Sequence, residues 1–259
     1  MTVAESLYFV YDGKRSDEMG IINVNLETGM LEENFLPEQN IKEITIRGKD
    51  APYYMEKNRN PITLKLTFAF VADFNEEKLK HVSSWLANQP YYKPLYFSDN
   101  LNKWYYTLYT GEVKLIHNAL KQGYITIEMR NISPYTYSPI YQSGIYDYSL
   151  NTSDGMDFTI NNLGTLPCKP IIKLEKVGAG EVKIVNYSNR GKEFLIKNLV
   201  HGEFIEIDSD TEDISSNIPL TYHFDDTSGK YPYFTEGNNY IKIYGNCKIQ
   251  WIYQFSSLY

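Results

Sequence analysis

The sequence predicts a mainly β chain: an N-terminal β-sandwich or barrel-like domain carrying one α-helix, followed by a second antiparallel β-sandwich. Three observations predict it. Apolar and polar residues alternate with period 2 along much of the chain, helical spacing governs one segment, and turn clusters cut the C-terminal half into short pieces.

In chain order, residues 41–46 alternate weakly and residues 62–70 strongly. Ile62, Leu64, Leu66, Phe68 and Phe70 fall on one face, with Thr63, Lys65 and Thr67 on the other. That is a one-sided antiparallel strand, and Pro61 stands at its start, where proline is tolerated. Residues 75–88 break the pattern: Leu79, Val82 and Leu86 recur at helical spacing beside Trp85. Asn75 is placed to cap the first turn, Glu76 and Glu77 complement the dipole, and Pro90 stops continuation, so one helix is expected over about 75–88. Alternation returns at 104–109 and 124–129, punctuated by Gly111 and Gly123. Residues 133–144 hold two prolines and a glycine without clean alternation, which predicts an extended linker and a domain boundary near 135–147. The expected domains are therefore 1–140 and 146–259. Beyond the linker, strands such as 203–207 and 248–253 are separated by turn clusters at 161–165, 178–180, 188–191, 225–229 and 236–239, the spacing of a sandwich.

A net charge of −7 argues against a protein that grips phosphate backbones, and both halves are net acidic. No run of about 18 apolar residues is present to insert into a membrane, and residues 1–15 show no basic, then apolar, secretion signal. The expectation is a soluble globular chain. Aromatic residues reach 15%, 24 of them tyrosines, a type that suits both half-buried sheets and contact surfaces with one wet end.

Catalytic chemistry finds little support. The adjacent carboxylates Glu32-Glu33, Glu76-Glu77 and Asp225-Asp226 diverge on a strand or helix and suit solvated surface charge better than acid–base work. Asp208, Asp210 and Glu212 resemble a calcium loop, yet an EF-hand needs glycine where Asp213 stands and glutamate where Pro219 stands. His81, His117, His201 and His223 share no ligand spacing, and Cys168 and Cys247 lie in no nucleophile or metal motif. Neither Gly229-Lys230 nor Gly178-Ala-Gly180 sits in a phosphate-binding frame. No catalytic set, cofactor or metal site is expected, and the chain reads as a non-enzyme. Trp251 alternates with Ile249 and Tyr253, which assigns its ring to a sheet face or core before a sugar platform.

Several segments together resemble a known family. Phe9-Val-Tyr-Asp-Gly13 with Ser16-Asp-Glu-Met-Gly20 resembles an opening strand and turn. Arg47-Gly-Lys-Asp-Ala-Pro-Tyr-Tyr54 resembles an exposed loop before the 62–70 strand, although Ala51 stands where glycine is expected. The helix, Pro94-Leu-Tyr-Phe-Ser-Asp99, Trp104-Tyr-Tyr106 and Tyr124-Ile-Thr-Ile-Glu-Met129 leading into Ser133-Pro-Tyr-Thr-Tyr137 follow in order. Asn161-Asn-Leu-Gly-Thr165 and Pro167-Cys-Lys-Pro-Ile-Ile-Lys173 resemble the entry to a galectin-like domain. In that order the chain resembles the distal tail proteins of long, non-contractile-tailed bacteriophages, in their short form without an inserted module.

The resemblance implies a structural virion protein of the phage tail tip, made in the host bacterial cytoplasm. Its tail-tube-like N-terminal domain would form a homo-hexameric ring and its C-terminal domain would be a galectin-like sandwich. The ring would join the tail tube protein on one face to the tail-associated hub protein on the other, with receptor-binding proteins as further partners. DNA would pass through without specific binding, which suits acidic subunits. Residues 47–60, with Arg47, Lys49, Tyr53, Tyr54, Met55, Lys57 and Arg59, are the expected subunit interface, a basic and aromatic loop on an acidic protein. The alternative implied role is a carbohydrate-binding adhesin or baseplate accessory protein that touches the host envelope through the C-terminal sandwich.

Overall fold

The computed structural model describes residues 6–24, 36–228 and 230–258, so the Glu32-Glu33 pair and Gly229 lie outside the described residues. The chain divides into two compact units, Met1–Tyr137 with Leu258–Tyr259, and Ser138–Ser257.

In the first unit, the strands are β1 (Phe9–Tyr11), β2 (Lys14–Arg15), β3 (Ile21–Asn23), β4 (Gln39–Ile44), β5 (Tyr53–Arg59), β6 (Thr63–Phe70), β7 (Lys93–Phe97), β8 (Asn100–His117), β9 (Gly123–Asn131) and β10 (Thr136–Tyr137). The main sheet runs β2-β1-β7-β8-β9-β6-β3, antiparallel throughout, with β10 beside β8. Strand β6 behaves as its alternation demands: Leu64, Leu66, Phe68 and Phe70 are buried, and Lys65 is exposed. They pack with one face of the helix α1 (Glu76–Ala87), which buries Val82, Trp85 and Leu86. Asn75 Oδ1 accepts the Lys78 amide at 2.8 Å, the expected cap. The Trp85 indole stacks on Phe9 at 5.7 Å and donates its N–H to the Tyr11 carbonyl at 2.9 Å, so the ring is both packed and satisfied.

Residues 133–144 are not a plain extended linker. Tyr137 of β10 pairs with Trp104, and β11 (Tyr141–Gln142) pairs with Tyr253 and Ile252 in the second unit. The buried Asn131 donates to the carbonyls of Ser133 and Tyr135 at 2.8 and 2.7 Å, holding this proline-containing backbone in place.

The second unit is two antiparallel sheets. β11 and β12 (Tyr146–Tyr148) both pair with β21 (Cys247–Tyr253). That strand neighbours β14 (Ile171–Lys176), then β17 (Phe204–Asp208) and β18 (Asp213–Ser216). The other sheet runs β13 (Met156–Asn162), β20 (Gly237–Tyr244), β15 (Gly180–Asn186), β16 (Lys192–Leu199) and β19 (Thr227–Ser228). Trp251 is fully buried and stacks on Phe158 at 4.9 Å, so its ring is core.

Candidate assembly surface

Strands β4 and β5 form a two-stranded sheet of their own. Residues 53–59, expected within a loop, are strand: the 47–60 segment is a turn around Gly48 (φ +87°) followed by β5. Tyr53 and Tyr54 favour a pleated strand whereas Glu56, Lys57 and Asn58 are depleted there, so composition points both ways and the pairing with β4 decides. Lys42 pairs with Glu56 and Glu43 with Tyr54, so Met55 is the extra residue of a bulge. The register puts Ile44 and Tyr53 with the Lys42–Glu56 pair on one face, and Ile41–Lys57 with Glu43–Tyr54 on the other. Neither face is apolar enough to seed a core. Neither is covered: Ile41 is 61% exposed, Tyr54 61% and Met55 53%.

All seven sequence-predicted interface residues map to this hairpin or its turn. Lys49 lies 4.2 Å from the centre of the Tyr53 ring and also bonds its hydroxyl. Lys42 and Glu56 form an exposed cross-strand pair at 3.3 Å. At the base, Asn60 bonds Glu38 through backbone and side chain, at 2.9 and 2.8 Å, and Arg59 reaches the Tyr135 hydroxyl at 3.4 Å. Arg47 and Lys57 are exposed at the turn and on β5. A hairpin of two strands is marginal in water by itself, and this one keeps its apolar side chains exposed on both faces.

The second unit offers two further features. A groove of about 440 Å³ lies on the outer face of the β14–β17–β18–β21 sheet, lined by Lys173, Glu175, Glu206, Lys248, Gln250 and Phe204. Its charges are compensated in rows, Lys248–Glu175 at 3.2 Å and Lys173–Glu206 at 3.5 Å, beside a Phe204 ring 54% exposed. The other feature is a polar cluster of the buried Glu203 and His223 with the partly exposed Asp226, which brings together residues that the sequence reading left apart. Asp226 keeps a solvent-accessible carboxylate, but it also has partners: it accepts from His223 at 3.0 Å and from Asn198 at 2.6 Å.

The remaining candidates disperse. Asp208 Oδ1 accepts the Asp210 and Thr211 amides in the β17–β18 turn, and Asp210 pairs with Lys169. Glu76 pairs with Lys80 one turn on. Burial pushes the Cys168 thiol up to about 11 and the Cys247 thiol up to about 12, so both stay protonated near neutrality.

Two family models match the chain: "Phage tail protein N-terminal domain" over residues 4–133 and "Phage tail C-terminal domain" over residues 142–253. The SPbeta prophage-derived protein YomH of Bacillus subtilis (strain 168) is 30% identical over 256 residues, which is 99% of this chain and 100% of YomH. Among solved structures, the fold is similar to that of the SPP1 Dit (gp 19.1) protein, described as a paradigm of the hub adsorption apparatus in phages infecting Gram-positive hosts. The TM-score is 0.69 at 13% identity, over 97% of this chain and 100% of that one. A chain of the phage P2 baseplate in its activated conformation with calcium matches at a TM-score of 0.47 and 10% identity, over 86% of this chain and 88% of that one.

Proposed function

The chain belongs to the phage tail protein family, and from that premise we propose that it is the distal tail subunit of a phage tail tip or tail-like particle. Six copies form a ring that joins the tail tube to the baseplate hub and leaves a passage for DNA. One observation carries the assembly part: a hairpin without a core of its own, exposing Ile41, Ile44, Tyr53, Tyr54 and Met55. Such a hairpin completes itself against a neighbouring copy, and the Arg47, Lys49, Lys57 and Arg59 cations meet a subunit whose net charge is −7. The near-full-length likeness to a hub adsorption protein supports the hub position. Acidic subunits suit a channel through which a phosphate polymer must slide without sticking.

Light scattering behind size exclusion over a dilution series tests the ring. The expected result is a hexamer that Tyr53→Ala with Tyr54→Ala reduces to monomer. A hexamer unchanged by the double substitution would remove the hairpin from the interface, and a monomer at every concentration would leave the ring dependent on tube or hub proteins added back.

A second reading, an envelope contact through a saccharide, is favoured by the sheet-face groove, where internally neutralised polar side chains flank the Phe204 ring. Neutral hydroxyls match such groups and a sugar's C–H face matches the ring. Saccharide titrations of the intact chain that show no heat, or heat untouched by Phe204→Ala, would rule this reading out.

A further inference from the structure

Between β18 and β19, residues 217–226 carry three large apolar side chains into solvent: Leu220 is 89% exposed, Tyr222 79% and Phe224 79%. Leu220 adopts a left-handed backbone (φ +59°). Backbone bonds to other strands hold the two ends of this segment, Asn217 N–H to the Phe204 carbonyl and Lys197 N–H to the Asp226 carbonyl, each at 3.0 Å; between them the backbone bonds are internal, Thr221 to Ile218 and Asp226 to His223. Its organising element is His223, whose side chain is 3% exposed in the midst of it. Both ring nitrogens meet carboxylates, Nε2 at 2.7 Å from Glu203 Oε1 and Nδ1 at 3.0 Å from Asp226 Oδ2. Ionised carboxylates only accept, and a neutral imidazole has a single N–H to give. Both contacts are satisfied together only by the imidazolium. Glu203 is itself fixed as an acceptor, taking the Ser216 hydroxyl at 2.6 Å and the Val200 amide at 3.0 Å. Asn198 does the same for Asp226. The cluster thereby ties the segment to β16, to the turn before β17 and to β18.

We propose that Glu203, His223 and Asp226 form a pH-operated clasp: the imidazolium closes the 217–226 segment onto the second unit, and the neutral ring releases it with Leu220, Tyr222 and Phe224. The charged groups facing His223 are Glu203 and Asp226; β18 and β16 bring the neutral Ser216 and Asn198 to those carboxylates. Burial by itself lowers the affinity of His223 for its proton, but the bonds and charges of the two carboxylates outweigh burial and hold its pKa above the ordinary 6.5. A raised value means that the clasp is at full strength below the ordinary imidazole pKa and weakens as pH rises toward the folded value. Burial would raise the Glu203 pKa, yet its bonds from Ser216, His223 and Val200 hold it low, and Asp226 is held low by Asn198 and His223. On the acid side the carboxylates' contribution is therefore full above their ordinary pKa values and is lost as pH falls below these toward the lowered folded ones.

Hydrogen exchange of the intact chain, read as protection factors over a pH series, tests this. The opening constant of the segment should be flat below about pH 6.5, rise about tenfold per pH unit above it, and level off past the His223 pKa, as release of one proton requires. The β14 strand should show no such rise. In His223→Gln the segment should open at all these pH values. Should that variant fail to fold, the His223 ring resonance in the unmodified chain decides: it is expected to titrate above the ordinary imidazole value. A segment equally protected at about pH 6 and about pH 9, a His223→Gln chain with wild-type protection, or a His223 that titrates at or below the ordinary value would each overturn the clasp.

Discussion

Strands β5 and β6 are neighbours in the chain, separated by residues 60–62, and they use apolar side chains in opposite ways. On β6 the large residues occupy every second position, so one face holds Leu64, Leu66, Phe68 and Phe70 and buries all four. On β5 they are consecutive, Tyr53, Tyr54 and Met55, so a pleated strand sends them to both sides, and all three stay exposed. One sheet face packed on one core cannot cover such a strand. The lesson is that phase, more than hydrophobicity, decides whether a strand belongs to its own core or to a contact made after folding.

The sharpest way to break this contrast is to cut the β6 side. Phe68 is fully buried and packs near Phe9, so Phe68→Ala should cost about 3–5 kcal/mol in urea unfolding of the first unit. A loss below about 1 kcal/mol would mean that β6 holds no more of the core than β5 does. A smaller step acts on the element that covers β6. Asn75→Ala removes the acceptor of the Lys78 amide and should cost about 1 kcal/mol, seen as a lower urea midpoint with an unchanged slope.

Phase also explains what could be read from the sequence. Strand β6 and helix α1 with its Asn75 cap were legible because period and chemistry agree there, and for Trp251 the alternation left core and sheet face open, of which the structure shows core. The strand at 41–46 was legible as a strand, but its exposure was not, since whether a neighbour covers a face is a tertiary fact. The clasp was missed because Glu203, His223 and Asp226 meet only once β16, β17 and β18 are in register. A signal for it did exist. Glu203 is in phase with Ile205 and Ile207, both buried, so alternation aims a carboxylate inward, and a buried carboxylate needs a partner. Lys176 repeats the signal behind Ile172 and Leu174; its ammonium is satisfied by the carbonyls of Val177 and Asn246 at 2.9 and 3.0 Å.

The smallest effects belong to the hairpin, and they sharpen the contrast by their smallness. Tyr54→Ala removes a large ring, yet that ring is 61% exposed, so the dissociated chain should change by no more than about 0.5 kcal/mol. Glu56→Gln should also have a small effect. Its pair with Lys42 joins side chains 51% and 70% exposed, and pairs of that kind contribute roughly 0.2–1 kcal/mol at low salt and less as salt screens them. The measurement is urea unfolding of the dissociated chain at low and high salt, with the variant midpoint expected to merge with wild type at high salt. A Glu56→Gln loss well above about 1 kcal/mol that persists in salt would show β4 and β5 braced by the rest of the first unit. The exposed tyrosines would then be ordinary surface, and the hairpin would have no need of a neighbouring copy.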